Sequence, residues 1–325
     1  MKVLVTGANG FVGQAVLLRL NGVSGVTALG SVRRAAMVAD AGAPRVSVGE
    51  LSAQTDWSGA LAGVQVVVHT AARVHVMQEA APDPLAEFRR VNVQGTLSLA
   101  CQAAAAGVRR FVFVSSIKVN GEATPLGHPF TADDEPAPLD AYGVSKMEAE
   151  QGLRVISRQT GMEVVIIRPP LVYGPGVKAN FAAMMRWLKR GVPLPLGAIH
   201  NQRSLVALDN LVDLLVTCIT HPAAANQTFL VSDGEDVSTT ELLRRMGQAM
   251  GKPARLLPVP ATCLKVAAGL VGKGDVAQRL CGSLQVDISK TRKLLGWVLP
   301  VSLNEGLRRA ATGHGLPPFA RNDGK

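Results

Sequence analysis

The N-terminal stretch Thr6-Gly7-Ala8-Asn9-Gly10-Phe11-Val12-Gly13 decides which fold class this chain adopts. It follows a β-branched run at residues 2–6 and precedes a helical pattern at residues 11–20. Its three glycines allow a tight turn, a close approach of a pyrophosphate to the backbone, and close packing of the helix on the strand. Free N–H groups at the start of that helix attract an anion. The stretch therefore predicts the strand, turn and helix of a Rossmann-type dinucleotide-binding unit.

Short apolar runs alternate with longer helical patterns along the first half of the chain. The predicted strands are residues 2–6, 26–32, 64–69, 111–115 and 164–168, and the predicted helices are residues 11–20, 85–106 and 141–160. Beyond residue 170, Pro and Gly cluster and the predicted elements are mainly helices, at residues 210–220, 239–250 and 303–311. This order is typical of an α/β fold with a doubly wound parallel sheet.

The change of pattern near residue 170 also suggests how the chain is divided. We predict a dinucleotide-binding Rossmann domain at residues 1–170 and a smaller, mostly helical portion at residues 171–312 that binds the substrate. Residues 313–325 are polar and contain Gly and Pro, which predicts a flexible tail.

Composition and charge exclude several classes of protein. The 325 residues carry a net charge of +10, and only 4% of them are aromatic. Because nucleic-acid binders interleave basic clusters with aromatic rings, and these Lys and Arg are scattered, we expect no nucleic-acid partner. The four cysteines form no CxxC pair and the six histidines are dispersed, so we expect no metal site. We see no signal peptide and no apolar run long enough to span a bilayer, and expect a cytoplasmic protein without membrane insertion.

The end of the second predicted strand indicates which dinucleotide binds. Folds that take NAD usually place Asp or Glu there, to bind the ribose 2′-hydroxyl. This chain has Ser31-Val32-Arg33-Arg34 instead, and two guanidinium groups suit a 2′-phosphate. The sequence thus favours NADP(H), with NAD(H) as the alternative if both arginines are solvated surface residues. Glu50, near the end of the next strand, is a candidate contact to adenine.

Candidate catalytic residues lie farther along the same predicted sheet. Tyr142 and Lys146 stand four residues apart, on one face of a predicted helix. A nearby ammonium favours the phenolate and lowers the pKa of a phenol, which suits proton transfer at neutral pH. Ser116, at the end of a strand, offers a hydroxyl to a substrate oxygen. Asn92 lies inside a predicted helix, where Asn is unfavourable, and this predicts a hydrogen-bonding task.

With these motifs in order, the chain resembles the extended short-chain dehydrogenases/reductases of the nucleotide-sugar epimerase, dehydratase and ketoreductase group. The resemblance runs from Met1 to about Thr312. Besides the glycine turn and the segment from Tyr142 to Lys146, the matching segments are His69-Thr70-Ala71-Ala72, residues 92–96, residues 116–121, Arg168-Pro169, residues 172–176, residues 203–209 and residues 287–297.

The resemblance implies a set of site residues. Tyr142 is the expected acid/base, Lys146 the residue that orients the nicotinamide ribose and tunes Tyr142, and Ser116 the residue that polarises the reacting oxygen. The expected cofactor contacts are Gly7, Asn9, Gly10, Phe11, Val12, Gly13, Arg33, Arg34, Glu50, Leu51, Thr70, Ala71, Ala72, Asn92, Tyr142, Lys146 and Pro169. The expected contacts to a UDP-sugar are Ser116, Lys118, Asn180, Leu196, Arg203 and Arg279. For the last two, a surface salt bridge is the alternative role.

The residues after Ser116 narrow the reaction. Sugar 4,6-dehydratases of this group carry Thr-Asp-Glu where this chain has Ser116-Ile117-Lys118, and they need those acids for proton transfer. GDP-sugar epimerase-reductases carry Cys at the position of Lys118. Two reactions remain: reduction of a 4-keto sugar, and reversible 4-epimerisation through a keto intermediate with retained NAD.

We favour the 4-ketoreductase because NADPH, which enters reduced and leaves oxidised, suits Arg33 and Arg34. In addition, residues 117–121, with Asn120 in place of the usual Tyr, resemble bacterial reductases of O-antigen biosynthesis that act on UDP-4-keto-6-deoxy-N-acetylhexosamines. A UDP-hexose 4-epimerase is the alternative. A non-catalytic NADP-sensing regulator is a third hypothesis, disfavoured because the Ser, Tyr and Lys are all present.

The resemblance also implies a homodimer. In this group two helices from each subunit form a four-helix interface, and here they would be residues 85–106 and 141–160. Ala100, Ala103 and Ala104 provide small side chains, which we expect to allow close helix approach.

Overall fold

Strand β1 is the third strand of a seven-stranded parallel sheet, between β2 and β4, and the full order is β3-β2-β1-β4-β5-β6-β9. The computed structural model describes residues 1–34, 43–74, 83–177, 179–270, 272 and 274–313. The strands are β1 (Lys2–Thr6), β2 (Thr27–Val32), β3 (Arg45–Ser47), β4 (Val66–His69), β5 (Arg110–Val114), β6 (Glu163–Arg168) and β9 (Thr228–Leu230). In β1, β4, β5, β6 and β9 the central residues are apolar and buried, as expected when helices cover both faces of a parallel sheet. The predicted fold class is confirmed.

The helices of the first half cover this sheet. They are α1 (Phe11–Asn21), α2 (Ser58–Leu61), α3 (Pro84–Phe88), α4 (Thr96–Ala105) and α5 (Ala141–Thr160), with a 3₁₀ turn at Ile117–Val119. The predicted helix at residues 85–106 is interrupted by a π-helical segment, Arg89–Gly95, between α3 and α4. Such segments often occur at functional sites, and this one contains Asn92.

The second half builds a smaller layer around a three-stranded sheet, with the order β10-β8-β7. Its elements are β7 (Leu171–Tyr173), α6 (Ala179–Lys189), β8 (Arg203–Ala207), α7 (Leu208–Thr220), a 3₁₀ turn (Pro222–Ala224), β10 (Asp236–Val237), α8 (Thr239–Ala249), α9 (Ala261–Leu270), α10 (Gly274–Cys281), α11 (Ser289–Leu295) and α12 (Leu303–Thr312). A second apolar cluster, which includes Tyr173, Phe181 and Leu243, holds α6, α8 and α12 against β8.

Two elements cross the boundary that we predicted at residue 170. Helix α7 packs in the same apolar cluster as α1, and β9 pairs with β6 at the edge of the large sheet. The division into residues 1–170 and 171–312 therefore stays a proposal, with the qualification that α7 and β9 belong structurally to the large sheet. Residues 314–325 of the predicted tail lie outside the described residues.

The small-residue face predicted on α4 is wrong for two of its three members. Ala100 and Ala103 are fully buried and pack in the core between α4, α5 and the sheet. Only Ala104 is partly exposed. The alanines lie where α4 approaches the sheet, so they serve internal packing rather than contact with a second copy.

Candidate active site

The glycine turn between β1 and α1 has the geometry of an anion site. The Gly10 N–H donates to the Gly7 carbonyl at 2.8 Å, and Gly7 adopts a positive φ of 67°. A Cβ at Gly13 would lie 2.3 Å from the Gly7 oxygen, so only glycine allows α1 to start this close to the turn. Gly10 caps α1 without any side-chain hydrogen bond. The N–H groups at the start of α1, from Phe11 and Val12 onward, are therefore oriented to hold a pyrophosphate.

The loop after β4 packs directly on this turn. The Thr70 hydroxyl donates to the Thr6 carbonyl at 2.6 Å, and the Ala71 N–H donates to the Thr6 hydroxyl at 3.3 Å. Ala71 lies so close to the turn that a Cβ on Gly7 would be 2.9 Å from its Cα. Residues 70–72 thus form the second wall of the cradle, where the resemblance places cofactor contacts.

The predicted adenosine end of the cradle contains a cation that we did not foresee. Arg33 and Arg34 follow β2 and are exposed, while Arg45 at the start of β3 donates from Nη1 to Asn9 Oδ1 at 3.0 Å. Arg45 lies opposite Gly30 in the parallel register, and a Cβ on Gly30 would be 3.4 Å from Arg45 Cγ. Gly30 in β2 was the sequence signal for this arrangement, because a residue without a Cβ leaves room for the Arg45 side chain.

Two further cofactor candidates have mainly structural contacts. Leu51 is buried in the core and packs so tightly on the π-helical segment that a Cβ on Gly95 would be 2.7 Å from its Cγ. Glu50 is exposed, and its carbonyl accepts from the Thr55 hydroxyl at 2.6 Å. The carboxylate of Glu50 stays a candidate contact, whereas the buried side chain of Leu51 leaves only its backbone for a ligand.

Helix α5 positions Tyr142 and Lys146. The Asp140 carboxylate caps the helix by accepting from the Gly143 N–H at 2.7 Å. One turn later, the buried Lys146 ammonium donates to the Val114 carbonyl at 2.9 Å and lies 4.4 Å from the centre of the Phe113 ring. Burial lowers the pKa of Lys146 to about 7, and the charge of Glu150 opposes this shift. The ammonium is thus held at the carboxyl end of β5, close to Ser115 and Ser116.

The pKa of Tyr142 does not shift in the direction that we expected. Burial raises the pKa of the phenol, and the charge of Asp140 raises it further. The Tyr142 ring packs edge-on against Phe88 at 5.9 Å between centroids, and the Arg73 guanidinium lies 5.6 Å from the centre of the Phe88 ring. In this state Tyr142 is a neutral phenol, which makes it a proton donor.

Of the two neighbouring serines, the structure leaves Ser116 available. Ser115 is buried and donates its hydroxyl to Glu150 at 2.5 Å. Ser116 is half-buried, and its hydroxyl accepts from the Lys118 N–H at 3.2 Å. Because that contact uses a lone pair of the oxygen and not its proton, Ser116 can still donate to a substrate oxygen.

A buried ion pair that we did not predict lies behind these residues. Arg168 donates to Glu150 from Nε at 2.9 Å and from Nη2 at 2.6 Å, and each side chain is 3% exposed. Arg168 also donates to Asn120 Oδ1 at 3.0 Å. The network joins α5, β6 and the loop after β5. Glu150 stands four residues after Lys146, so the spacing alone places it on the same face of α5.

Asn92 has the hydrogen-bonding task that we predicted, but its amide is used by the protein. Its Oδ1 accepts from the Arg73 N–H at 2.8 Å, and its Nδ2 donates to the Arg73 carbonyl and the Ser145 hydroxyl, both at 3.0 Å. Ser145 in turn donates to the Tyr142 carbonyl at 2.8 Å. Asn92 therefore ties the loop after β4 to the catalytic helix and acts as a positioning residue.

Two of the predicted substrate contacts, Lys118 and Leu196, already have partners within the protein. Lys118 forms ion pairs with Glu122 at 2.9 Å and with Asp140. Leu196 is buried in the second apolar cluster, and its carbonyl accepts from the Thr240 hydroxyl at 2.6 Å. Asn180 lies in α6, but its side chain is outside the described part of the structure.

The two predicted diphosphate ligands are brought together. Arg203 at the start of β8 is half-buried and donates from Nη1 to the carbonyls of Arg279 at 2.8 Å and Gly282 at 3.1 Å. Arg279 lies on α10 and is exposed.

Pro169, a predicted cofactor contact, is buried at the end of β6, and its carbonyl accepts from the Ile117 N–H at 3.0 Å. The glycine turn, residues 70–72, Ser116 and Pro169 follow β1, β4, β5 and β6, and so lie at the carboxyl edge of the parallel sheet, where open α/β sheets bind ligands.

Two kinds of feature are absent from the described ranges. Among those residues, no group of three or more His, Cys, Asp or Glu side chains is arranged to hold a metal ion. In the same part of the chain, no helix combines the length and the apolar character needed to cross a membrane.

Comparison with known proteins agrees with this geometry. Residues 3–232 match the model of the NAD dependent epimerase/dehydratase family. A UDP-glucose 4-epimerase of Vibrio cholerae is 51% identical over 311 residues, covering 95% of this chain and 94% of the relative. A short-chain dehydrogenase/reductase superfamily protein of Agrobacterium tumefaciens, solved with bound NAD, is 26% identical, with a TM-score of 0.75 and coverages of 96% and 97%. MoeE5, solved with UDP-glucuronic acid and NAD, is 25% identical, with a TM-score of 0.77 and coverages of 96% and 98%. The chain therefore belongs to the NAD dependent epimerase/dehydratase family and is an enzyme of that family.

Proposed function

We propose that this enzyme is a UDP-hexose 4-epimerase that retains NAD(H). The observation that carries the proposal is the 51% identity to the Vibrio cholerae UDP-glucose 4-epimerase over 95% of the chain. This identity favours the reaction that the sequence analysis ranked second, and it reverses our preference for the 4-ketoreductase. Two solved relatives, the Agrobacterium tumefaciens protein and MoeE5, contain bound NAD, which supports NAD(H) over NADP(H).

The residues of the site suit this reaction. A nicotinamide dinucleotide supplies, when bound, a hydride acceptor and donor beside C4 of the sugar. Oxidation starts from the ionised form of Tyr142, which takes the proton from the C4 hydroxyl, and Tyr142 is the neutral phenol while the ketone is bound. It returns the proton to the same oxygen when the other face is reduced. Ser116 donates to that oxygen, and the Lys146 ammonium stabilises the phenolate that is present before oxidation and after reduction. The same side chains therefore handle the proton in both directions.

The substrate's nucleotide fits the edge formed by β8 and α10. Arg203 is held by two backbone carbonyls, which fixes its stem while leaving further guanidinium N–H groups for a diphosphate. Arg279 is exposed next to it. These two cations support a UDP-sugar as the substrate, as does the UDP-sugar named with MoeE5.

Reduction of a UDP-4-keto-6-deoxy-N-acetylhexosamine by NADPH is the second candidate. The observation in its favour is the exposed pair Arg33 and Arg34 where NAD-binding folds usually carry an acid.

We also propose a homodimer through the outer faces of α4 and α5, as the resemblance implies. Ala100 and Ala103 do not contribute to this interface, because both are buried inside the subunit.

Incubation of the purified protein with UDP-glucose, without added cofactor, tests the proposal. The epimerase hypothesis predicts UDP-galactose by proton NMR, with many turnovers per protein molecule, and NAD released on denaturation. The reductase hypothesis predicts no change in UDP-glucose, and instead one NADPH consumed for each molecule of a UDP-4-keto-6-deoxy sugar. The second pattern of results would reject the epimerase.

A further inference from the structure

Six exposed apolar side chains lie on connected segments of the second half, and we call them the α9 surface. They are Trp187, Val192, Leu257, Val266, Leu270 and Val276, with exposed fractions between 43% and 84%. The segments are joined by main-chain hydrogen bonds from the Leu257 N–H to the Leu194 carbonyl at 2.8 Å and from the Leu194 N–H to the Arg255 carbonyl at 2.9 Å, and α9 packs against α10. The described part of the chain has fourteen exposed large apolar side chains, so nearly half of them lie on these segments.

Helix α9 is the unusual element of this surface. Its sequence, Ala-Thr-Cys-Leu-Lys-Val-Ala-Ala-Gly-Leu, has the composition of a core helix, yet none of its ten residues, all described, is buried. Ala261 and Leu264 contact the second apolar cluster. Val266 and Leu270 are four residues apart and 66% and 84% exposed. A helix with one face on the protein and a second apolar face in water is typical of a surface that binds an apolar partner.

The charge around α9 identifies the kind of partner. Residues 179–200 and 251–286 together contain eight Lys or Arg and one Asp, which accounts for seven of the ten net positive charges of the chain. These segments are positive because they contain almost no acidic residue, whereas the other 26 Lys or Arg of the chain are nearly balanced by 23 Asp or Glu. Lys189 and Lys252 are adjacent, because the Lys252 ammonium donates to the Lys189 carbonyl at 3.0 Å. Exposed apolar side chains on segments of net positive charge are the combination that binds an anionic lipid surface.

We propose that the α9 surface docks on an anionic phospholipid bilayer. Val266 and Leu270 enter the boundary between headgroups and acyl chains, while Lys265, Lys189 and Lys252 contact lipid phosphates. The contact is peripheral, since α9 has ten residues and a membrane-spanning helix needs about 20. The proposal does not depend on the reaction, because the surface contains no residue that we place in the catalytic site.

Cosedimentation of the full-length protein with vesicles tests this proposal. We expect binding to a phosphatidylcholine–phosphatidylglycerol mixture at least ~10-fold tighter than to phosphatidylcholine alone, and weaker binding at high salt. The double variant Val266→Glu/Leu270→Glu should lose binding by at least ~10-fold. The matched control is Leu139→Glu/Val298→Glu, at side chains that are 75% and 79% exposed outside the α9 surface, and it should bind as the wild type does.

Turnover of each variant in solution and its size by light scattering complete the experiment. Unchanged turnover with lost vesicle binding supports the proposal, since it shows a folded enzyme. Equal binding to both vesicle types, equal loss in the control variant, or dissociation of an oligomer by Val266→Glu/Leu270→Glu would overturn it. The last outcome would make the α9 surface an interface between copies of the chain.

Discussion

Replacement of Glu150 by Gln removes the negative charge that the buried Arg168 requires. Glu150 accepts two hydrogen bonds from Arg168 and one from Ser115, and each side chain of the ion pair is 3% exposed. The Gln amide presents N–H groups to donors, so the guanidinium is left without its counter-charge and without access to water. Breaking a buried pair in this way costs about 3–5 kcal/mol, against a total stability of roughly 5–15 kcal/mol for a folded protein.

Urea unfolding of the purified variants measures this loss. Glu148→Gln is the matched control on the same helix, because Glu148 pairs with Arg89, whose side chain is 46% exposed, and should lose only about 0–1 kcal/mol. The double variant Glu150→Leu/Arg168→Met should be more stable than Glu150→Gln, since no charge stays buried alone. The reasoning is refuted if Glu150→Gln loses no more than Glu148→Gln, or if the double variant is the least stable of the three.

Tyr142→Phe removes only the phenolic hydroxyl, so turnover should fall by about 10²–10⁴-fold with an unchanged unfolding midpoint; near-normal turnover would assign the proton transfer to another group. Lys146→Ala should lower turnover comparably and also weaken dinucleotide binding in a fluorescence titration, and unchanged affinity would contradict its contact to the cofactor. Gly13→Ala places a Cβ 2.3 Å from a carbonyl oxygen of the turn and should weaken dinucleotide binding at least ~10-fold, whereas Gly59→Ala, which meets nothing within 4 Å, should not. Burial lowers the pKa of His69 to about 3. Between about pH 6.5 and pH 3, His69 is therefore protonated in the unfolded chain but neutral in the native state. The free energy of unfolding should fall with decreasing pH in this range by up to about 1.4 kcal/mol per pH unit. A His69→Gln variant should show a flatter dependence, and an equal slope would contradict the assignment.

The large sheet was predictable because its strands are short β-branched runs, buried on both faces, with a glycine turn that identifies the first of them. The pairing of Tyr142 and Lys146 was predictable because residues four apart in a helix lie on the same face. Strand β9 was not predictable, since Thr228–Leu230 has only three residues, and its pairing with β6 depends on the fold of the 59 residues between them.

The interactions that hold the site together depend on contacts distant in sequence. Asn92 and Arg73, Glu150 and Arg168, and Arg45 and Asn9 lie on different elements, and no local pattern pairs them. The direction of the Tyr142 pKa shift was also beyond sequence reasoning. Spacing places an ammonium on the same helix face, but only the structure shows that this ammonium donates to a backbone carbonyl of β5.

Deuterium tracing tests most directly whether this enzyme removes and returns hydride at a single sugar carbon. The protein is incubated with UDP-[4-²H]glucose and a pool of unlabelled NADH, and both sugars are analysed by NMR and mass spectrometry. Our account predicts UDP-galactose that keeps deuterium at C4, because the hydride leaves and returns within one retained cofactor. Failure to form UDP-galactose, or loss of deuterium to the external NADH pool, would contradict it.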